Sequence, residues 1–327
     1  MEKRKKRVKF SLPPDIIFQI LKEIPVKSLL RLRCVSKLCC SIIDDPLFVQ
    51  SHHTRSHTRP GGISIVLFTS HRDHRNATYC YRLFSVNPEG DSVHRILKFR
   101  NLFLKQPQYV NGLILIDGCI WNPSTRECIA ILYMSNTKAS SDPEYLLGFE
   151  PSTNRHKVLR YIITNTRFHY KILTLGNGPN DNSWRDIDDD FIQYGTRFHR
   201  GSDCCCIGGV IYYLNIGNSV ELVAFEVGRE KFSFVPLPEG TSGGNLIEVG
   251  QRLALVDFDV TTIWILEDCD KQMWNKQSLT MTLGGRPLKD DYGWSQLVPF
   301  IRLRYYSSII IFKIGHICAI MIWKATS

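Results

Sequence analysis

The chain has 327 residues, 43% of them hydrophobic and 22% charged, with 11 cysteines and a net charge of +10. Such a composition is globular rather than disordered, and the length allows one large domain or a small module followed by a larger one. Lys3, Arg4, Lys5, Lys6, Arg7 and Lys9, less Glu2, supply +5 of the charge, so the body is only mildly basic and no nucleic-acid partner is expected.

Residues 1–10 form a basic tail, which reads either as a nuclear-localisation patch or as a solvated terminus. No apolar core follows it, so it is not a secretory signal. The cysteines form no CxxC pairs with zinc-ligand spacing, and Cys204, Cys205 and Cys206 would alternate faces in a strand. They read as thiols in a reducing compartment, which places the chain in the nucleus and/or cytoplasm.

Residues 11–53 carry helical periodicity. Ile16, Ile17, Ile20, Leu21 and Ile24 make one broad apolar face, with Ser11 as the expected N-cap, Pro13 in the first turn and Pro25 ending the helix. Leu29, Leu32, Val35, Leu38 and Ile42 are spaced by three and four, which predicts a second helical run stopped by Asp44, Asp45 and Pro46. So small a module cannot enclose two such faces, and the surplus is expected to meet either a partner or the downstream domain. His52, His53 and His57 form an HHxxxH string in a polar stretch lacking a nearby carboxylate or thiolate, so no metal is expected there.

The segment Leu12–His52 resembles the F-box in its plant form. Leu12-Pro13, Asp15, Ile20-Leu21, Ile24-Pro25, Lys27-Ser28-Leu29, Arg33-Cys34-Val35-Ser36-Lys37 and Pro46-Leu47-Phe48 carry the match. The resemblance implies a three-helix module that docks on a Skp-family adaptor and, through it, a cullin. It would do so through Leu12, Pro13, Ile16, Ile17, Ile20, Leu21, Pro25, Val26, Leu29, Leu32 and Val35. Cys39 departs from the family pattern, which usually has tryptophan there; truncating a buried Trp costs roughly 3–5 kcal/mol.

From Ile63 onward short strands alternate with polar turns. The stretches 120–132, 148–160, 223–237 and 263–279 each set turn formers between apolar arms, and 170–187 does so with a longer turn, which predicts β-hairpins. Centres near Asp181, Gly228 and Asp270 are spaced by 47 and 42 residues, a propeller-blade period. These stretches, with the Gly208-Gly209 strand entry, are similar to the plant F-box-associated β domain of type three. That similarity implies an α+β chain: the helical module, then an all-β, propeller-like domain over 61–327. The match is clear to about 285 and the tail beyond diverges.

The apolar run Ile309–Trp323 is interrupted by Lys313 and His316 and is too short for a membrane span, so it predicts buried strands and no membrane partner. No GxSxG, GxxxxGK[ST] or HExxH motif occurs. Asp186, Asp188, Asp189 and Asp190 lack calcium-loop spacing, and the Gly-rich stretch 239–245 reads as a turn between blades. The expectation is a non-enzyme with no cofactor: the substrate-recognition subunit of an SCF-type ubiquitin ligase, whose target protein binds loops such as 136–143, 176–190 and 239–245. Two alternatives stand beside it: a family member with weakened adaptor binding, and a β-propeller glycan-binding protein or enzyme.

Overall fold

A computed structural model describes residues 12–58, 65–73, 78–86, 93–101, 107–116, 118–131, 143–164, 167–176, 181–187, 197–198, 204–216, 219–241, 243–257, 262–268, 273–278, 282–283, 286–287, 297–298, 308–314 and 317–323. Side chains are described for 12–55 and for the described residues between 107 and 277 other than 163, 164, 167, 197, 198, 216 and 257. The chain divides into two compact units, one helical and one of strands.

The helical unit contains four helices, not three: α1 Pro14–Lys22, α2 Val26–Leu32, α3 Lys37–Ile43 and α4 Pro46–Thr58. Pro14 opens α1, where its missing N–H is no loss, and Asp15 lies at the positive end of the helix dipole. The N-cap is Pro13, with no side-chain cap; Ser11 lies outside the described residues. The second helical run is split. Ser36 is extended, and its hydroxyl accepts a 3.0 Å hydrogen bond from the Cys39 N–H, which restarts the helix as α3. Pro46 does not end the helical region. It opens α4, with the Asp45 carboxylate accepting from the Leu47 N–H at 2.7 Å. The histidine string therefore lies on a helix.

The strands pair antiparallel throughout. Sheet 1 comprises β1 Ile65–Asp73, β2 Thr78–Val86 and β3 Val93–Asn101. Sheet 2 comprises β4 Gln108–Val110, β5 Leu113–Ile116, β6 Cys119–Trp121 and β7 Cys128–Ala130. Sheet 3 comprises β8 Glu144–Glu150, β9 Arg155–Thr164, β10 Arg167–Thr174 and β11 Trp184–Ile187. In sheet 4, β12 Arg197–Phe198 and β13 Cys204–Ile207 both pair with β14 Val210–Ile216, which is followed by β15 Val220–Glu226 and β16 Lys231–Val235. Sheet 5 comprises β17 Gly244–Val249, β18 Arg252–Asp257, β19 Thr262–Asp268 and β20 Met273–Ser278. Then come a hairpin, β21 Thr282–Leu283 with β22 Arg286–Pro287, and a final sheet of β23 Leu297–Val298, β24 Ser308–Ile314 and β25 Ile317–Trp323. Strands β1 and β25 approach within 8 Å between Cα atoms.

All the expected hairpins are present: β6–β7, β8–β9, β10–β11, β15–β16 and β19–β20. The spacings of 47 and 42 residues join the equivalent last hairpins of sheets 3, 4 and 5. Hairpins β4–β5 and β13–β14 are tighter. Asn111-Gly112 closes β4 on β5 and Gly208-Gly209 closes β13 on β14, with positive φ at both central residues, as a two-residue turn matching the strand twist requires. The Gly-rich stretch is the link from β16 to β17, between sheets 4 and 5.

Neighbouring sheets pack face to face, and alternation along each strand decides which neighbour a side chain meets. Tyr145, Leu147, Val158 and Leu173 of sheet 3 join Val110, Leu115 and Ile120 of sheet 2. The opposite face, with Leu146, Leu159, Tyr161, Tyr170 and Ile172, packs on Ile211, Tyr213, Val223 and Phe225 of sheet 4. Sheet 4 in turn presents Tyr212, Leu214 and Leu222 to Leu246, Leu253 and Leu255 of sheet 5. Cys204 and Cys206 face one cluster and Cys205 the other, as strand alternation demands. Each fully buried large side chain contributes roughly 1.5–3 kcal/mol. Whether β24 and β25 are buried lies outside the described side chains; as strands they are as expected. Among the described residues no helix is long and apolar enough to cross a membrane.

Candidate functional site

Two kinds of apolar side chain coexist in the helical unit. Leu21, Leu29 and Phe48 are its buried core, with Ile17, Phe18, Ile24, Leu32, Ile42 and Ile43 packed against them. Phe48 meets Phe18 edge-on at 5.2 Å and stacks on His52 at 5.9 Å. His52 is buried, and its Nε2 donates to the Ile24 carbonyl at 2.8 Å. One residue of the HHxxxH string is thus a core histidine. Among the described residues no group of three or more His, Cys, Asp or Glu side chains is placed to hold a metal.

The other kind faces outward. Ile20 is 49% exposed, whereas Leu21 beside it is 3% exposed. Leu12, Ile16, Val35 and Leu38 are likewise exposed, Val35 to 70%. Ile16 and Ile20 are four residues apart, so α1 carries an outward stripe opposite the stripe of Ile17, Leu21 and Ile24. Pro13 and Pro25 are exposed and Val26 is half-buried.

Of the expected docking residues, Leu21 and Leu29 are enclosed by the module itself, and Ile17 and Leu32 line that core. Leu38, which periodicity placed on the second helical run but which was not among the expected docking residues, is exposed, as are Leu47 and Val49 on α4. For α4 the signal was Asp45-Pro46, a capping residue followed by a first-turn proline.

Charge frames the α2–α3 side of this surface. Lys27, Arg31, Arg33 and Lys37 are exposed. Arg33 donates to Asp44 at 2.9 Å, and that hydrogen bond, with a smaller one to Cys40, holds the guanidinium above its ordinary range. Cys39 is half-buried on α3.

Among the described residues of the strand unit, polar side chains tie neighbouring sheets together. Gln108 donates to the Tyr145 carbonyl at 2.7 Å and accepts from the Leu147 N–H at 2.8 Å, joining sheets 2 and 3. Between sheets 3 and 4, buried Lys157 donates to the Val227 carbonyl and to Glu230, both at 2.9 Å, and pairs with Glu150 at 3.2 Å. Arg185 also pairs with Glu230. Burial pushes the Glu150 carboxyl up, but hydrogen bonds from Lys157, Thr153 and Ser152 outweigh it and hold the group below its ordinary range. Glu230 is likewise raised by burial and lowered further by Arg185 and Lys157. Of the expected acidic cluster, Asp186 pairs with Lys171 at 2.6 Å, and Asp188, Asp189 and Asp190 lie outside the described residues. Loop 136–143, all but Pro143, and parts of 176–190 lie outside them as well.

Comparison with known proteins gives two family matches. Residues 10–51 match the F-box domain, and residues 60–294 match the F-box associated beta propeller domain. F-box protein At5g65850 of Arabidopsis thaliana is 31% identical over 296 residues, covering 83% of this chain and 71% of the relative. F-box protein At1g30790 of the same plant is 28% identical over 313 residues, covering 83% and 76%. Among solved structures, TolB from Acinetobacter baumannii aligns with a TM-score of 0.47 at 13% identity, covering 88% of this chain and 67% of that one.

Proposed function

This chain belongs to the plant F-box proteins that carry an F-box associated beta propeller domain, and from that premise we propose that it is the substrate-recognition subunit of an SCF-type ubiquitin ligase. An F-box domain with F-box relatives implies that role in outline. The adaptor it engages is of the Skp family, and through it a cullin.

The observation that carries the docking surface is the exposure of Leu12, Ile16, Ile20 and Val35 beside a core already filled by Leu21, Leu29 and Phe48. Burying one such side chain is worth roughly 1.5–3 kcal/mol, so an exposed set of this kind is matched to a covering partner. The docking residues are Leu12, Pro13, Ile16, Ile20, Pro25, Val26 and Val35, joined by Leu38. Leu21 and Leu29 support them from beneath.

The strand unit is the target-holding part. Sheets 2 to 5, of four or five strands each, packed in series, with β1 near β25, support a closed ring. Its contribution to ubiquitin transfer is proximity, raising the local concentration of target lysines, and no residue of this chain takes part in the chemistry. The same reading places it in the nucleus and/or cytoplasm, where such ligases meet their targets. Co-expression with a Skp-family adaptor tests it: a stable complex supports the assignment, and folded chain that elutes alone overturns it.

One observation favours a second reading. Cys39 leaves a half-buried thiol where the F-box resemblance leads one to expect tryptophan, which supports a member that docks weakly. Adaptor affinity before and after Cys39→Trp separates the two.

A further inference from the structure

The turn joining α2 to α3 holds an exposed hydroxyl inside the docking surface. Ser36 lies in extended backbone, φ −152° and ψ 154°, and is exposed, as are Arg33, Cys34, Val35 and Lys37 around it. Arg33 stands three residues before it and Arg31 five, both exposed and basic. Among the described side chains, Ser36 is the one serine or threonine with an arginine three residues upstream. An accessible serine in extended backbone, preceded at that spacing by arginine, is what a kinase with an acidic substrate cleft takes, because guanidinium pairs with carboxylate in a directed fork. Arg33 is held by Asp44, with a smaller hydrogen bond to Cys40, and the partners of that ion pair are both exposed, so it is readily exchanged.

We propose that Ser36 is a phosphorylation site for an arginine-directed serine kinase, and that its phosphate shuts off adaptor docking. The inhibitory half rests on the docking reading above. In the step itself the Ser36 Oγ attacks the γ-phosphorus of ATP. The new O–P bond forms as the bond to the β,γ-bridging oxygen breaks, the hydroxyl proton passes to the kinase's carboxylate base, and ADP leaves.

The consequence follows from position. The phosphate carries a charge of about −1.5 to −2 and lands between Val35 and Leu38, both exposed apolar residues of the docking surface. Closing an apolar partner over it would strip a dianion of water. The module itself tolerates the change. The Ser36 Oγ already accepts the Cys39 N–H, a phosphate oxygen can accept the same hydrogen, and Arg33 and Lys37 are at hand for the charge. Docking would in turn cover Ser36, so the two events exclude one another.

The test uses the full chain, a Skp-family adaptor, Mg-ATP and a calcium-dependent protein kinase selective for arginine three residues before the acceptor. The expected results are phosphate mapped to Ser36 in the free chain, protection of Ser36 in the preformed complex, and adaptor affinity lowered at least about tenfold by the modification. Ser36→Glu should lose adaptor affinity well beyond Ser36→Asn, which keeps a capping side chain without charge. No phosphate at Ser36 of the folded free chain, or equal affinity before and after phosphorylation, overturns the proposal. Failure of the unmodified chain to bind adaptor overturns the docking reading and the inhibitory half with it, while phosphate mapped to Ser36 still decides the modification itself.

Discussion

The Nε2 of His52 donates to the carbonyl oxygen of Ile24 at 2.8 Å, tying α4 to the link between α1 and α2. One face of this imidazole also covers the Phe48 ring. His52→Ala should therefore destabilise the helical unit by about 1–3 kcal/mol, because it leaves a carbonyl unsatisfied and uncovers an aromatic. Amide exchange of the α1 and α4 backbone in the full chain measures this; protection unchanged by the substitution would contradict it.

Core and surface residues of α1 and the α2–α3 turn should separate cleanly. Leu21→Ala should cost about 2–5 kcal/mol of helical-unit stability, since Leu21 is 3% exposed. Val35→Asp should leave stability within about 0.5 kcal/mol and yet reduce adaptor affinity, since Val35 is 70% exposed. Denaturation curves and adaptor titrations on both variants decide it.

Cys39→Trp should raise adaptor affinity about tenfold or more, restoring a side chain whose loss elsewhere costs roughly 3–5 kcal/mol. Calorimetric titration of both forms against the same adaptor gives the comparison. An unchanged affinity would mean that the half-buried thiol on α3 is not a docking defect.

Gly148 lies where sheet 3 approaches sheet 4 closely. A Cβ there would lie 2.7 Å from Val227 Cγ2 and 2.8 Å from Ile211 Cδ1, both buried. Gly148→Ala should destabilise the strand unit by about 1–3 kcal/mol, read as a lowered thermal midpoint.

Acid should loosen the same interface. Glu150 and Glu230 titrate below the ordinary carboxylate value of 4.5 despite burial, so unfolding binds protons as the pH falls. Their contribution is complete above about pH 4.5 and is lost as the pH falls through their folded values. His156 adds a separate limb. Burial lowers its pKa below 6.5, against hydrogen bonds to the backbone at Val110 and Asn111, so stability also declines as the pH falls below about 6.5. Lys157→Met should flatten the lower limb and leave the upper one intact in a series of thermal midpoints from pH 7 to pH 3.5.

The hairpins were legible because turn formers between alternating arms are local signals, and Asn111-Gly112 carries the same information for β4 and β5. Helix α4 was not, because its run of histidine, threonine and serine has no apolar stripe; only the cap at Asp45 and the proline after it announce it. Ser36 hid the break between α2 and α3, since leucine and isoleucine keep helical spacing across it. The docking face was legible as apolar but not as outward. Ile20 and Leu21 are equally apolar neighbours, and only the packing of Phe48 and Leu29 determines which one the core takes. The target-binding face has no such local signal, because loop composition does not encode which end of a sheet stack a partner meets.

The most direct test is the equilibrium between the folded full chain and a purified Skp-family adaptor. The account predicts a one-to-one complex that Val35→Asp or Ile20→Asp disrupts while leaving the chain folded. Binding unaffected by either substitution, or no binding by wild-type chain or by Cys39→Trp, would contradict it.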